Sequence, residues 1–176
     1  MAIDRQKTET VHWHAVFTAS RAEKKVRDRL EELGVECFLP VQTVLRQWTY
    51  RKSRVVVPVI AGLVFVREGR QEQVKVLQTK GVVAFLRLKG EAGAAVIPDK
   101  QMEDFRFLLD FSEEAVEMTN ENIKAGDLVR VVKGSLRGME GELIRHKGVT
   151  KVLVRIDMLG CAMVNIPASF VEKLNK

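Results

Sequence analysis

The chain lacks most of what would mark a secreted, membrane-spanning or catalytic protein. Its 176 residues hold two cysteines, Cys37 and Cys161, one in each half. Two isolated thiols predict small buried apolar side chains in a reducing compartment, not a disulfide or a redox pair. No stretch approaches the roughly 20 consecutive apolar residues that span a bilayer. The start, Met1-Ala2-Ile3-Asp4-Arg5-Gln6-Lys7, has no apolar segment of the secretory type. A cytoplasmic protein with no membrane contact is expected. No internal repeat or low-complexity tract occurs. No Ser/His/Asp set, phosphate-cradling glycine loop or pair of carboxylates in a cleft can be assembled either. His12 and His14 flank Trp13 at a spacing that puts both on one face of a strand, but no third ligand is near, so they read as ordinary strand residues. His146 stands alone. Asp99, Glu103 and Asp104 read as favourable charge at a helix N-terminus. No catalysis, cofactor or metal is expected.

What is present is an ordinary globular composition, 46% apolar and 30% charged, which excludes wholesale disorder. A net charge of +6 favours a polyanionic partner, though only weakly. Its distribution says more. Residues 1–110 carry 19 basic and 14 acidic side chains, residues 111–121 four acids and no base, and residues 122–176 ten bases and five acids. Two basic blocks around an acidic segment predict two domains, 11–110 and 122–176, joined by a linker over 111–121, after a disordered start over 1–10.

The first block is organised around Val57-Pro58-Val59-Ile60-Ala61-Gly62-Leu63-Val64-Phe65-Val66, which reads as a strand buried on both faces and starting near Val59. Before it, Val11–Thr18 alternates as a strand. Ser20 with Glu23 forms a capping box for a helix whose apolar stripe is Ala22, Val26, Leu30 and Leu33, stopped by Gly34. Strands over Val35–Val41 and Val44–Tyr50 follow, with a hairpin tip at Arg51-Lys52-Ser53-Arg54. After the central strand come a short helix (Gln71–Gln78), a strand (Val82–Leu88) and a short strand (Ala94–Ile97). Pro98 and Asp99 open a final helix with Met102, Phe105 and Leu109 inward. The fold class is α+β, an α/β sandwich on a mostly antiparallel sheet. In the second block five short strands (Asp127–Val132, Gly141–His146, Val152–Asp157, Ala162–Ile166, Phe170–Leu174), with a glycine at most turns, predict a small five-stranded barrel.

Gly126-Asp127-Leu128-Val129-Arg130-Val131, followed by Gly134, Gly138 and Gly141, resembles a KOW motif. Trp13, the capped helix, Val57-Pro58 with Gly62-Leu63-Val64-Phe65-Val66, Gly81-Val82-Val83-Ala84-Phe85 and Ile97-Pro98-Asp99 fall in the order of the NusG N-terminal domain. The resemblance covers nearly the whole chain. The basic character and the segment 97–110 most resemble specialised paralogues of the UpxY type and, more distantly, RfaH.

The resemblance implies a monomeric transcription factor that binds RNA polymerase through the β′ clamp helices, seated in an apolar depression at Phe17, Ile60, Leu63, Phe65, Phe85, Leu88, Met102 and Phe105. Phe65 and Phe85 read equally well as ordinary core. Where relatives have an aromatic-proline pair and a tyrosine, this chain has Ile60-Ala61 and Leu63, which reduces aromatic anchor area. Leu63→Asp is expected to abolish polymerase binding and leave the fold mostly intact if the side chain is at the surface. Lys25, Arg29, Thr79 and Lys80 match positions that approach the non-template DNA strand of the transcription bubble; a solvated helix face is the alternative. Trp48 and Tyr50 among Arg46, Arg51, Lys52 and Arg54 form a basic-aromatic hairpin suited to upstream DNA or to plain cross-strand packing. The family's contact to the β-subunit gate loop has no counterpart, since Glu72-Gln73-Val74 stands there. The KOW domain would recruit Rho or a small-subunit ribosomal protein through Leu159, Gly160 and Cys161, where an aromatic residue is replaced by leucine. The implied activity is antitermination and elongation, at an operon such as one for surface polysaccharide. The alternatives are a housekeeping NusG acting with Rho and a KOW-type RNA-binding protein of the ribosome.

Overall fold

A computed structural model describes residues 10–174. The start expected to be disordered lies, except for Thr10, outside the described residues. In chain order the elements are β1 (His12–Thr18), α1 (Glu23–Glu32), β2 (Glu36–Phe38), β3 (Val41–Gln47), β4 (Lys52–Pro58), β5 (Leu63–Glu68), α2 (Gln73–Gln78), β6 (Val82–Phe85) and α3 (Asp99–Phe111). They continue with β7 (Glu117–Thr119), β8 (Asp127–Val131), β9 (Glu140–His146), β10 (Val149–Ile156), β11 (Gly160–Asn165), a 3₁₀ turn (Ala168–Phe170) and β12 (Val171–Lys173). The fold is mixed α/β, and the strand pairings described are antiparallel.

The described residues form two compact units, 10–39 with 62–96 and 40–61 with 97–174. The first holds a four-stranded sheet in the order β2-β5-β1-β6. Register divides its residues between two faces, because directly opposed residues share a side. Phe17 lies opposite Leu63, Ala15 opposite Phe65 and Trp13 opposite Arg67. The other face carries Val16 opposite Val64 and Phe85, with His14 opposite Val66 and His12 opposite Glu68. Both helices of this unit lie on that second face. Cys37, opposite Val66, points its thiol at the Arg27 carbonyl of α1, and Gln73 and Leu77 of α2 line a cavity with His12, His14 and Phe85. Gly81 (φ +100°) lets α1 approach, since a Cβ there would sit 2.8 Å from Val26 Cγ2.

The ten-residue stretch expected as one central strand is two strands. Val57 and Pro58 end β4, whereas Leu63 starts β5 in a different sheet. The chain turns between them at Gly62 (φ +71°), a backbone region that side chains disfavour. The four residues Leu63–Val66 are buried, so the expectation of two covered faces holds for this half alone.

The expected capping box is also absent. Arg21 adopts φ +59°, so α1 starts at Glu23 with Ala22 as its cap residue and no side-chain cap. Glu23 is drawn away, accepting a 2.7 Å hydrogen bond from the Gly62 N–H. No strand spans Ala94–Ile97; Ile97 makes an isolated bridge.

In the second unit β3 and β4 form a two-stranded ribbon. Its tip lies at Trp48–Arg51, where the two backbones exchange hydrogen bonds of 2.8 and 3.3 Å, three residues before the expected position. Trp48 Nε1 donates to Ser53 Oγ at 3.0 Å, so Lys52 and Ser53 belong to the strand.

The remaining strands make a six-stranded sheet ordered β12-β8-β9-β10-β11-β7, in keeping with a KOW-like domain. The five expected strands are β8–β12. The sixth, β7, comes from the segment expected to be a linker, and it pairs Thr119 with Cys161 and Glu117 with Met163. Helix α3 packs on β10 of this unit, and Gln101 Oε1 accepts from the Asp157 N–H at 2.8 Å. Ile144, Leu153, Cys161 and Met163 form a buried cluster, with Ile123 against it.

Candidate functional site

The expected polymerase seat is not one surface. Phe17, Leu63 and Phe65 share the sheet face that neither α1 nor α2 occupies, whereas Phe85 points to the opposite face and packs edge-on against His14 at 5.9 Å. Phe17 and Leu88 are exposed, at 41% and 43%. Leu63, Phe65, Phe85, Met102 and Phe105 are buried, and Ile60 is half-buried. Phe65 packs on Phe38 at 6.2 Å. In this structure five of the eight residues are therefore core, and the expectation that Leu63→Asp would spare the fold does not survive its 2% exposure.

The expected nucleic-acid residues do converge. Lys25 and Arg29 are one helical turn apart on α1, and Arg29 Nη1 donates to the Lys80 carbonyl at 2.6 Å. That bond brings the basic side of α1 beside the residue that follows α2. Lys25 and Lys80 are exposed. Thr79 is buried, and its hydroxyl donates to the Lys75 carbonyl at 3.0 Å, so it holds the end of α2 and offers no donor outward. At the ribbon tip Tyr50 is 97% and Trp48 55% exposed, beside the exposed Arg46, Arg51, Lys52 and Arg54. Of the turn expected to recruit a partner, Leu159 and Gly160 are half-buried, and Cys161 is buried in β11. Burial pushes the Cys161 thiol pKa up. Met158, which opens that turn and is not among the residues expected to bind, is its exposed residue and has a positive φ.

Polar groups in the C-terminal sheet are satisfied. Arg155 is bidentate to Glu142, through Nε to Oε1 at 2.6 Å and Nη2 to Oε2 at 2.9 Å, and it also donates to the Ile123 carbonyl. Glu142 Oε2 accepts from the Gly126 N–H at 3.0 Å. The hydrogen bond from Arg155 holds the Glu142 pKa below its ordinary value. Lys151, 4% exposed, meets Glu117 of β7 at 2.7 Å.

The first sheet holds a buried His14–Glu68 couple that the sequence reading missed. Glu68 is 1% exposed, and neither carboxyl oxygen has a hydrogen-bond partner. His14 Nε2 is 3.7 Å from Oε1. The other ring nitrogen, Nδ1, lies 2.9 Å from the Ala95 carbonyl, which can only accept, so the proton of a neutral ring resides on Nδ1. Burial, helped by the negative charge of Glu72 and opposed by the nearby Gln73 amide, pushes the Glu68 pKa up to about 8. Burial also lowers that of His14. Both shifts favour the uncharged forms. The signal lay in parity: alternation from Val64 through Val66 carries Glu68 to the same side as His12 and His14. Among the described residues no three His, Cys, Asp or Glu side chains gather as a metal site.

Comparison with known proteins follows the same lines. The profile of the family described as "NusG: Transcription termination factor nusG" matches residues 11–106. Among solved structures, NusG of Thermotoga maritima, in a study of its domain interaction, is similar with a TM-score of 0.51 and 22% identity, covering 94% of this chain and 98% of that one. At that identity the likeness is one of fold. Conformation B of the MjSpt4:Spt5 complex aligns with a TM-score of 0.30 and 18% identity, over 93% of this chain and 97% of the other. No curated protein sequence matches the chain.

Proposed function

Because the chain belongs to the NusG family of transcription factors, we propose that it binds RNA polymerase through the β′ clamp helices and suppresses pausing and termination. The observation that carries this reading is the sheet face bearing Phe17, Leu63 and Phe65, apolar and free of either helix of its own unit. A helical tip burying apolar side chains would suit such a face. Phe17 is accessible for first contact, and engagement of Leu63 and Phe65 requires that they become accessible. Lys25, Arg29 and Lys80 would track phosphates of the non-template strand, and the Trp48–Tyr50 tip would reach upstream duplex. The UpxY-like specialisation, a cytoplasmic setting, action at one operon and recruitment of Rho or a ribosomal protein through Met158 and Leu159 belong to the same proposal. So does the division into domains 11–110 and 122–176.

Run-off transcription on terminator templates, with and without the protein, tests the activity. Read-through should rise, and Phe17→Asp should remove the effect and the polymerase pull-down together. Increased release in the presence of Rho would instead favour the housekeeping reading. No effect on either template, with no polymerase retained, would sink the proposal. Lys25→Ala with Lys80→Ala should weaken DNA binding and flatten its salt dependence, since two phosphate contacts are removed.

A further inference from the structure

The ribbon of β3 and β4 ends in a basic, aromatic tip whose charges the chain itself leaves unmet. Residues 37–66 hold four bases, Arg46, Arg51, Lys52 and Arg54, and no acid. All four are exposed, and among the described residues none of them makes an ion pair. The backbone bonds exchanged by Trp48 and Arg51 make Thr49 and Tyr50 the two residues of the turn. Directly opposed residues share a side, so Trp48 and Arg51 stand on one face, together with the opposed pair Arg46 and Ser53. The indole is fixed there, because Nε1 donates to Ser53 Oγ, yet the residue stays 55% exposed. Trp48, Thr49, Tyr50 and Arg51 line a hollow of about 350 Å³, within the size range of small-ligand sites.

The occupant has to supply negative charge and a flat apolar face together. An acidic peptide would meet the guanidinium groups but leave the two aromatic rings in water. A closed DNA duplex carries phosphates, yet its base faces are stacked on one another, so it too would leave the rings bare. An unpaired base offers its π face to an aromatic side chain and brings a phosphate on either side. Arg46 and Arg51, on the indole's own face of the ribbon, are placed for those phosphates. The Ser53 bond uses the only donor of the indole, so recognition rests on stacking and tolerates any base.

We propose that the ribbon tip holds one unpaired DNA base stacked on Trp48 and Tyr50, with Arg46 and Arg51 on the adjoining phosphates. The inference rests on the DNA reading given above for this tip and sharpens it: the contact is made where a duplex opens, not along its paired length. Lys25, Arg29 and Lys80 belong to the other unit, so the tip can be altered without touching them.

The test is titration of the full chain at fixed salt, followed by tryptophan emission; the second indole, Trp13, is 5% exposed, so a change reports Trp48. The probes are a blunt DNA duplex, the same duplex with a short single-stranded overhang, that overhang made abasic, the overhang in RNA, and an oligoglutamate peptide. The DNA overhang should quench the emission and bind about tenfold more tightly than the blunt or abasic probe, whatever its bases. Trp48→Ala and the fully exposed Tyr50→Ala should each remove most of that preference and leave binding of the blunt duplex unchanged. Arg51→Ala should weaken the overhang and lower its salt slope by about one. Equal binding of overhang and blunt duplex, both weakened by Lys25→Ala with Lys80→Ala, would overturn this inference and leave the wider DNA reading standing. Binding of neither would overturn both. Tighter binding of the RNA overhang would overturn the assignment to DNA, and equal quenching by the peptide would overturn the assignment to a base.

Discussion

The two sheets treat buried charge in opposite ways. In the C-terminal sheet Arg155, Glu142, the Gly126 N–H and the Ile123 carbonyl form a closed set, and Lys151 has Glu117. In the first sheet Glu68 lies deeper and meets no hydrogen-bond partner. A paired carboxylate is stabilised as an ion and its pKa falls; an unpaired one is neutralised and its pKa rises. Glu142 and Glu68 show the two outcomes in one chain. A satisfied buried carboxylate fixes the structure around it as an ion, whereas an unsatisfied one makes stability depend on its proton.

The most severe way to probe that contrast is to ask whether the first sheet tolerates a second lone carboxyl. Leu63→Asp should cost more than about 4 kcal/mol, as for an unpaired charge placed in a core. Thermal melts followed by circular dichroism would read it, and a normal melt would mean that Leu63 is more accessible than its 2% exposure implies.

A smaller and pH-dependent effect is expected for Glu68→Gln. The wild-type carboxyl has a raised folded pKa, so the folded state binds more protons than the unfolded state between about 4.5 and about 8. Wild-type stability from this group is therefore fully present below pH 4.5 and drains away as pH rises through 8. The glutamine variant lacks that slope, so its advantage over wild type should grow to the order of a few kcal/mol by pH 9. Urea midpoints measured across pH 4 to 9 give the comparison, and parallel curves would refute the burial argument. His14 has the opposite sign: its lowered folded pKa removes stability as pH falls below 6.5.

For Glu142 the direction reverses. Its depressed folded pKa contributes stability above pH 4.5 that is lost as pH falls through the folded value. Glu142→Gln should cost about 1–2 kcal/mol at neutral pH and flatten the acid limb. The smallest effect belongs to Glu117→Gln, which leaves the Lys151 ammonium with a neutral acceptor. Glu117 is half-exposed, so the cost should stay near 1 kcal/mol, with protection loss in hydrogen exchange confined to β7 and its partner β11.

What could be read from sequence followed periodicity. β1, α2, α3 and the five strands β8–β12 came from β-branched runs, apolar stripes and glycine punctuation. What failed needed information from afar. The Ser20–Glu23 capping box looked complete locally, but Glu23 serves the Gly62 N–H, 39 residues away. The stretch 57–66 looked like one strand because its composition is uniform, and a turn at Gly62 overrode that. The depression inferred at Phe65 and Phe85 failed because one-residue parity on different strands sends them to opposite faces, which becomes visible only once Phe17 is known to face Leu63 and Val16 to face Phe85.

The turn at Gly62 also bears on how the protein is made. The chain leaves the first unit after residue 39, returns to it at 62 and leaves again after 96. During synthesis the ribbon of β3 and β4 emerges before any other part of its own unit and must wait for residues 97–176. The first unit, by contrast, is complete once residue 96 has appeared. Shortening the chain from its C-terminus therefore strands a finished ribbon before it leaves an unfinished first sheet.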